Sequence, residues 1–430
     1  MTKKSVAFHT LGCKLNFSET SYISNQFNLN NYIEVKPNDT ADIHIINTCS
    51  VTAQTNKKCR ELIRKIIRNN PKSLIVATGC YAQLKPEDIL RIDGVDLVLG
   101  NIEKFDILNK IEQYIENKVT KKNIAQILDD KTFYPAYSIN GRTRSFLKIQ
   151  DGCDNYCAYC TIPLARGHSR SGFVKDIMNQ IAEIAKFNIK EIIITGVNIG
   201  DFGKHNNEKL IDLMFEIEKL ESIKRFRLSS IEPELLSNEM IDIIANSKNI
   251  LPHFHIPLQS GNDFILNKMK RKYDLALFSN LINNIRKKMP HAFIGVDVIL
   301  GFPGETDILF NETLNYLKQL DISEFHSFTY SERENTLATD MDNSIPFEIR
   351  KERSKMVQNL SKEKLLNFYK NNIGKTFNVL FEQDKKGDFI YGYTDNYIKV
   401  KTLYDKNLVN NVFKVTLTDL DNENNVLIKF

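Results

Sequence analysis

Asp151-Gly152-Cys153-Asp154-Asn155-Tyr156-Cys157-Ala158-Tyr159-Cys160 sets three cysteines at the spacing C-x3-C-x2-C, in a polar loop that follows an apolar run at 146–149. Thiolates at this separation wrap one soft metal centre, while the intervening backbone donates N–H groups to the sulfurs. Three ligands on a four-iron cube leave one iron without a protein ligand, and an open position is what chemistry needs. Core cysteines rarely crowd so densely into a polar loop, and a structural zinc knuckle would want a fourth ligand that is not nearby. The loop reads as the holder of an iron–sulfur cluster.

Downstream of it, apolar runs recur at 146–150, 191–195, 226–229, 253–258, 293–300 and 324–329, with helical patterns such as 174–187 and 209–220 between them. Six βα units predict an incomplete parallel barrel whose active face lies at the strand carboxyl ends. The three cysteines follow the first strand, and Thr195-Gly196-Val197-Asn198 follows the second. Ser229, Ser230 and Glu232 follow the third, Gln259-Ser260-Gly261 the fourth, and Gly301-Phe302-Pro303-Gly304-Glu305-Thr306 the fifth. A turn at Thr195 and Gly196 lets backbone carbonyls approach a charged amino group, and Glu232 can accept hydrogen bonds from ribose hydroxyls. Such residues also serve as turns and caps. Together with Ser229 on one rim they favour a nucleoside-sized ligand. His253 and His255 share one face of a strand and read as satisfied barrel residues rather than ligands.

The first segment alternates short buried strands at 6–9, 42–47, 74–78 and 95–99 with helices at 18–27, 52–69 and 86–93, which predicts an open parallel α/β sheet. Cys13, Cys49 and Cys80 each follow a strand, at the edge where such sheets place their sites. Gly12 and Gly79 allow sharp turns and a close backbone approach there. A second metal centre, three core cysteines and reactive thiols all fit this pattern. Cys59, at helical spacing with Leu62, Ile63, Ile66 and Ile67, reads as core.

The polar stretch ending in Gly141 reads as a linker. Beyond residue 375, period-two alternation at 377–381, 389–393, 397–400 and 412–415 predicts a small β-barrel whose aromatics could stack bases. The domains are therefore an N-terminal α/β domain over 3–114, a linker over 115–138, a barrel core over 139–370 and a β module over 372–430.

A chain of 430 residues with 42% hydrophobic and 26% charged residues is an ordinary globular protein of several domains. It has no run of about 18 apolar residues to cross a membrane. The apolar Ser5-Val6-Ala7-Phe8 after Met1-Thr2-Lys3-Lys4 is too short for a signal peptide. Seven cysteines, an odd count, suit a reducing compartment, so a cytoplasmic location is expected. The net charge of +5 does not itself predict nucleic acid, but Lys57, Lys58, Arg60, Arg64, Lys65 and Arg68 crowd one helix, and Lys268, Lys270, Arg271 and Lys272 another segment.

With Tyr159 just before its third cysteine, the loop resembles the signature of radical S-adenosylmethionine (radical SAM) enzymes. The whole chain resembles one family among them, the radical SAM methylthiotransferases, from a three-cysteine N-terminal domain to a C-terminal TRAM-like module matched at Gly392-Tyr393-Thr394-Asp395-Asn396-Tyr397. Thr10-Leu11-Gly12-Cys13-Lys14-Leu15-Asn16, Asn47-Thr48-Cys49-Ser50-Val51-Thr52 and Thr78-Gly79-Cys80-Tyr81-Ala82-Gln83 are similar to the subgroup acting on N6-threonylcarbamoyladenosine beside the tRNA anticodon. They are less similar to the subgroups acting on isopentenyladenosine or on a ribosomal protein.

The resemblance implies two 4Fe-4S clusters, one on Cys153, Cys157 and Cys160 with SAM at its open iron, the other on Cys13, Cys49 and Cys80 carrying the sulfur to be transferred. It also implies an enzyme whose partners are the tRNA anticodon stem-loop, SAM, a sulfur donor and a flavodoxin- or ferredoxin-like electron donor. The basic helix over 57–68 would carry much of the tRNA affinity. Two rivals are a radical SAM protein whose extra cluster only relays electrons, and a non-catalytic iron–sulfur RNA-binding sensor.

Overall fold

Ile43 and Ile45 face one core and Ile46 the opposite one, as alternation along a strand buried on both sides requires. This strand, Ile43–Thr48, lies between Ser5–Thr10 and Leu74–Gly79 in a parallel sheet, with Leu97–Leu99 beyond the last. Helices Lys14–Leu29 and Ile107–Asn117 pack toward the first core and Ala53–Asn69 toward the second. The predicted open α/β sheet is present. In this computed structural model the described residues are 3–30, 32–117, 121–139 and 143–430, so Met1, Thr2 and Gly141 lie outside them.

The expected linker is not a free tether. Lys122–Asn123 adds an edge strand to the first sheet beside Leu97–Leu99, and Ala136–Tyr137 pairs antiparallel with the first barrel strand, Arg144–Lys148. Free backbone at both sheet edges recruits the crossing chain, a tertiary effect that polar composition hides.

The six barrel strands form two parallel groups. Phe226–Leu228, Glu191–Thr195 and Arg144–Lys148 make one, and His253–Gln259, Phe293–Leu300 and Glu324–Thr329 the other. A parallel bridge between Phe226 and Ile250 spans the gap between them. Ile192, Ile194, Phe254, Ile256, Ile294 and Val296 join the helices in one core. The 24-residue helix Phe347–Lys370 packs on the last strand and leads into the C-terminal module. That module is a closed five-stranded barrel, whose last strand, Val426–Lys429, the sequence reading did not include. Among the described residues no helix is long and apolar enough to cross a membrane.

The C-terminal barrel docks at the amino ends of the other barrel's strands. There Glu191 gathers Arg144, Arg225 and Arg227 at 3.3, 2.9 and 2.9 Å. Arg225 pairs with Asp395, while Arg227 donates to the carbonyls of Thr394 and Asp395 at 2.7 and 2.8 Å. Tyr393 and Tyr397 lie under Arg144 and Arg227, with ring centroids 4.5 and 4.9 Å from the guanidinium carbons. Of the aromatics in a module expected to be able to stack bases, these two rings are part of the domain interface, because strand parity names a face but not what covers it.

Burial alone would raise the pKa of Glu191, yet Arg227, Arg225 and Arg144 outweigh it and hold the carboxyl at about 2. Glu191→Ala would leave three guanidinium groups without their shared anion, and is expected to cost about 3–5 kcal/mol, read as a lower urea midpoint. A carboxyl depressed from 4.5 to about 2 contributes its stability above the unfolded value. Wild-type stability should therefore fall as pH drops from about 4.5 through 2, with a smaller change over that window in Glu191→Ala.

Candidate active site

The first sheet brings Cys13, Cys49 and Cys80 together. Their strands are adjacent and in register, Thr10 beside Asn47 and Thr48 beside Gly79, and each cysteine stands one to three residues past its strand end. Gly12 has φ +109, and a Cβ there would lie 2.8 Å from Cys49 Sγ, so only glycine leaves the space beside that thiol open. Gly79 has φ +94, and a Cβ would meet the Thr48 carbonyl at 2.4 Å. Cys13 presents accessible surface although burial raises its thiol pKa, as befits a side chain facing a space enclosed by protein. Burial likewise pushes Cys49 up to about 12. Reactive redox thiols need the opposite shift. Cys59, fully buried, donates to the Cys49 carbonyl at 3.4 Å and is core, as its spacing predicts.

At the carboxyl end of the first barrel strand the second trio is wrapped by backbone. The N–H groups of Asn155 and Ile162 point at the sulfurs of Cys153 and Cys160, both at 3.5 Å, and Cys153 N–H donates to the Gly167 carbonyl at 3.1 Å. Arg271, read from sequence only as part of a basic run, is buried, and its Nη1 lies 3.0 Å from Cys157 Sγ. Burial raises all three thiols, Cys153 and Cys160 to about 12, so thiolates form here only with a cationic partner in place. In neither trio are all three sulfurs within 4.8 Å of one another among the described residues. Tetrahedral zinc, with Zn–S near 2.3 Å, would draw its ligands to within about 4 Å. A larger inorganic core fits and a single ion does not.

The rim beside this loop holds polar atoms without partners. Ser229 Oγ and Gln259 Oε1 are buried and make no hydrogen bond, and the buried Asn198 amide has only Asp201 beside it. Orphans of this kind call for a polar ligand. Thr195 is buried at its strand end, and Gly196 packs on Gln150, whose Oε1 accepts from the N–H groups of Val197 and Asn198 at 2.9 and 2.8 Å. Glu232 is engaged by Arg271, and burial raises its carboxyl to about 7 against that pull. Asn198 follows the second barrel strand and Gln259 ends the fourth, and their spacing does not mark them as ligands. Turn composition alone does not separate a capping amide from a ligand amide.

Between the two trios runs a buried ionic seam. Arg166, six residues past Cys160, donates to Glu19 at 3.0 and 3.1 Å, to Asp151 at 2.9 Å and to Asn16 Oδ1 at 2.8 Å. Lys104 and Lys148 reach Glu19 at 2.7 and 3.0 Å, and Lys148 reaches Asp151 at 2.6 Å. Arg170 lies 3.6 Å from Asp151. Four cations thus face two carboxylates, an excess of two positive charges beside Cys80, whose sulfur is 3.8 Å from the amide of Asn101. Thiolates on an anionic centre would balance that excess.

A cavity of about 230 Å³ opens between these parts. One wall carries Val51 and Thr52, just past Cys49, and another Tyr159, Cys160 and Thr161. Asp297, Ile299, Phe328 and Thr329 close it from the barrel strands. Arg333, also in the lining, donates to Ser50 Oγ at 2.5 Å and leaves its Nε unpaired. Helix Ala53–Asn69 starts at this mouth, capped by Thr52, and carries Lys57, Lys58, Arg64, Lys65 and Arg68 outward in exposed positions.

Residues 5–100 match a family described as Uncharacterized protein family UPF0004, and residues 147–317 match the radical SAM superfamily. The chain is 36% identical over 423 residues to the threonylcarbamoyladenosine tRNA methylthiotransferase MtaB of Bacillus subtilis, covering 96% of this chain and 93% of that one. Its likeness to the protein of the same name from Aquifex aeolicus is 37% over 399 residues, 92% of this chain and 96% of that one. A tRNA-2-methylthio-N(6)-dimethylallyladenosine synthase of Desulfotalea psychrophila is 31% identical over 407 residues, 90% of each. The solved structure of the radical S-adenosylmethionine methyltransferase TsrM from Kitasatospora setae superposes with a TM-score of 0.57 at 12% identity, covering 79% of this chain and 77% of that one, a likeness of fold alone. By these matches the chain belongs to the radical SAM methylthiotransferases, in the group of the threonylcarbamoyladenosine tRNA methylthiotransferases.

Proposed function

We propose that this protein replaces the C2 hydrogen of N6-threonylcarbamoyladenosine, beside the tRNA anticodon, with a methylthio group, one SAM giving the methyl and a second the radical. Two 4Fe-4S clusters serve it, one on Cys13, Cys49 and Cys80, the other on Cys153, Cys157 and Cys160. The observation that carries this reading is the single cavity bordered on one side by the residues after Cys49 and on the other by Cys160. Residues 3–114, 139–370 and 372–430 are assigned to sulfur delivery, radical generation and RNA contact. A sulfur donor and a flavodoxin- or ferredoxin-like electron donor complete the partners, and the reaction belongs in the cytoplasm, where tRNA is found.

Carbon 2 of a purine bears a C–H bond that no side-chain base deprotonates at neutral pH. When bound, the clusters and SAM supply a carbon radical able to break that bond and a sulfur that carries the methyl group. The chain's own residues hold and enclose the reactants. Ser229 and Gln259 offer unpaired polar atoms to the SAM side, with Thr195, Gly196, Asn198 and Glu232 on the same rim. Ile299 and Phe328 give the cavity apolar walls for a base taken out of its stack. Arg333, in the lining of the same space, brings a guanidinium cation suited to an anionic substituent. The exposed cations of helix Ala53–Asn69 lead away from the mouth, placed to meet the phosphates that flank an inserted base.

Mass analysis of tRNA nucleosides from cells with and without the gene tests the reading directly. The expected difference is a methylthio increment on threonylcarbamoyladenosine, and its absence from cells carrying the gene refutes the assignment. Cys49→Ala should still release 5′-deoxyadenosine from SAM under reduction but form no methylthio product, whereas Cys157→Ala should lose both. An extra cluster that only relays electrons predicts methylthio product from neither enzyme, wild type included. Arg64→Glu with Lys65→Glu should weaken tRNA binding and flatten the plot of log K against log salt by about one unit for each phosphate contact removed, measured by filter binding.

A further inference from the structure

Beside the cavity, reaching it through Asp297, lies a group of side chains outside the proposed cluster and SAM sites. His255, Asp297 and His326 come from three neighbouring parallel strands, with Asp297 paired directly across from His326. One ligand atom from each lies within 4.8 Å of the other two, and all three side chains are half-buried. Asp297 lines the cavity, as does Phe328, two residues beyond His326 on the same face of its strand.

Hydrogen bonding accounts for two of these residues. His255 Nε2 lies 2.7 Å from Asp297 Oδ1, and its Nδ1 lies 2.8 Å from Ser230 Oγ. It leaves His326 unexplained. This imidazole is set perpendicular to His255 with ring centroids 5.2 Å apart, and it has no hydrogen-bond partner among the described residues. Gly295, next to it on the adjacent strand, keeps the space open, since a Cβ there would stand 3.4 Å from His326 Nε2. Glu324 faces His255 and Lys14 faces His326, so one further carboxylate and one cation border the group.

We propose that His255, Asp297 and His326 form a site for one divalent transition-metal ion of the zinc, iron or manganese class, beside the cavity. Two imidazoles and a carboxylate on adjacent strands are a three-ligand set with open positions. Ser230 supplies what a ligating histidine needs on its second nitrogen, a hydrogen bond that fixes tautomer and ring orientation. Asp297 lines the cavity where the modified base is proposed to sit, but the site itself does not depend on that reading.

The test uses the full chain with both clusters reconstituted, equilibrated with a small excess of Zn²⁺ and desalted. About one zinc per chain is expected, with an X-ray absorption edge showing nitrogen or oxygen neighbours at about 2.0–2.1 Å and no sulfur at about 2.3 Å. His326→Gln and Asp297→Asn should each drop zinc to near zero while iron per chain is unchanged, which shows that the variants are folded. No retained zinc in the wild type, sulfur in the zinc shell, or zinc kept by either variant overturns the site. Loss of methylthio product bears on the proposed function and leaves the zinc measurement standing.

Discussion

Six charged side chains sealed between two domains set the relative position of everything catalytic in this protein. Glu19 and Lys104 come from the first domain, and Lys148, Asp151, Arg166 and Arg170 from the barrel, all removed from solvent. Burying charge costs several kcal/mol per ion, and the attraction between partners returns that only at good geometry. An apolar seam would be at least as stable and would tolerate sliding. Ions bonded at 2.6 to 3.1 Å do not, because each small displacement strands a charge in a low-dielectric interior. The network fixes register. It holds the carboxyl edge of the first sheet toward the carboxyl rim of the barrel, and so brings Cys49 and Cys160 to the borders of one cavity.

Buried arginine recurs near the cysteines. Arg166 faces Cys80, Arg271 touches Cys157 and Arg333 faces Cys49. A guanidinium stays charged where a lysine would lose its proton, which burial indeed threatens at Lys104, lowered to about 8. Permanent cations beside both trios pull against the burial that raises the thiols, and favour anionic centres over neutral ones. The same charges account for the local carboxylates: burial would raise Glu19, but Arg166, Lys104 and Lys148 hold it below the usual range. Structure and electrostatics therefore point the same way at both sites.

Much of this is written locally in the chain. The C-x3-C-x2-C loop, the strand periodicity and the glycines beside Cys49 and Cys80 depend on neighbours in sequence, and the barrel strands fall within a few residues of their predicted places. Other features were invisible because they join residues far apart. The stretch expected as a linker pairs with two sheets, and Tyr393 and Tyr397, in a module expected to be able to stack bases, meet Arg144 and Arg227. Arg271 looked like one of a solvated run, but of those four residues its side chain is the one that turns inward to a cysteine. His255 reads as a satisfied barrel residue, and its convergence with Asp297 and His326 needs three strands in register.

The sequence by itself determined which residues can bind soft metal, where the strands run and which ends carry cysteines, since spacing and alternation are properties of a single segment. Only packing decided that Cys160 and the residues after Cys49 border one cavity, that Ser229 and Gln259 keep buried polar atoms unpaired beside the second trio, and that a six-residue ionic seam locks the domains together. These are relations between segments up to about 280 residues apart, and they exist only once packing has excluded water and made each unpaired or mispaired charge costly.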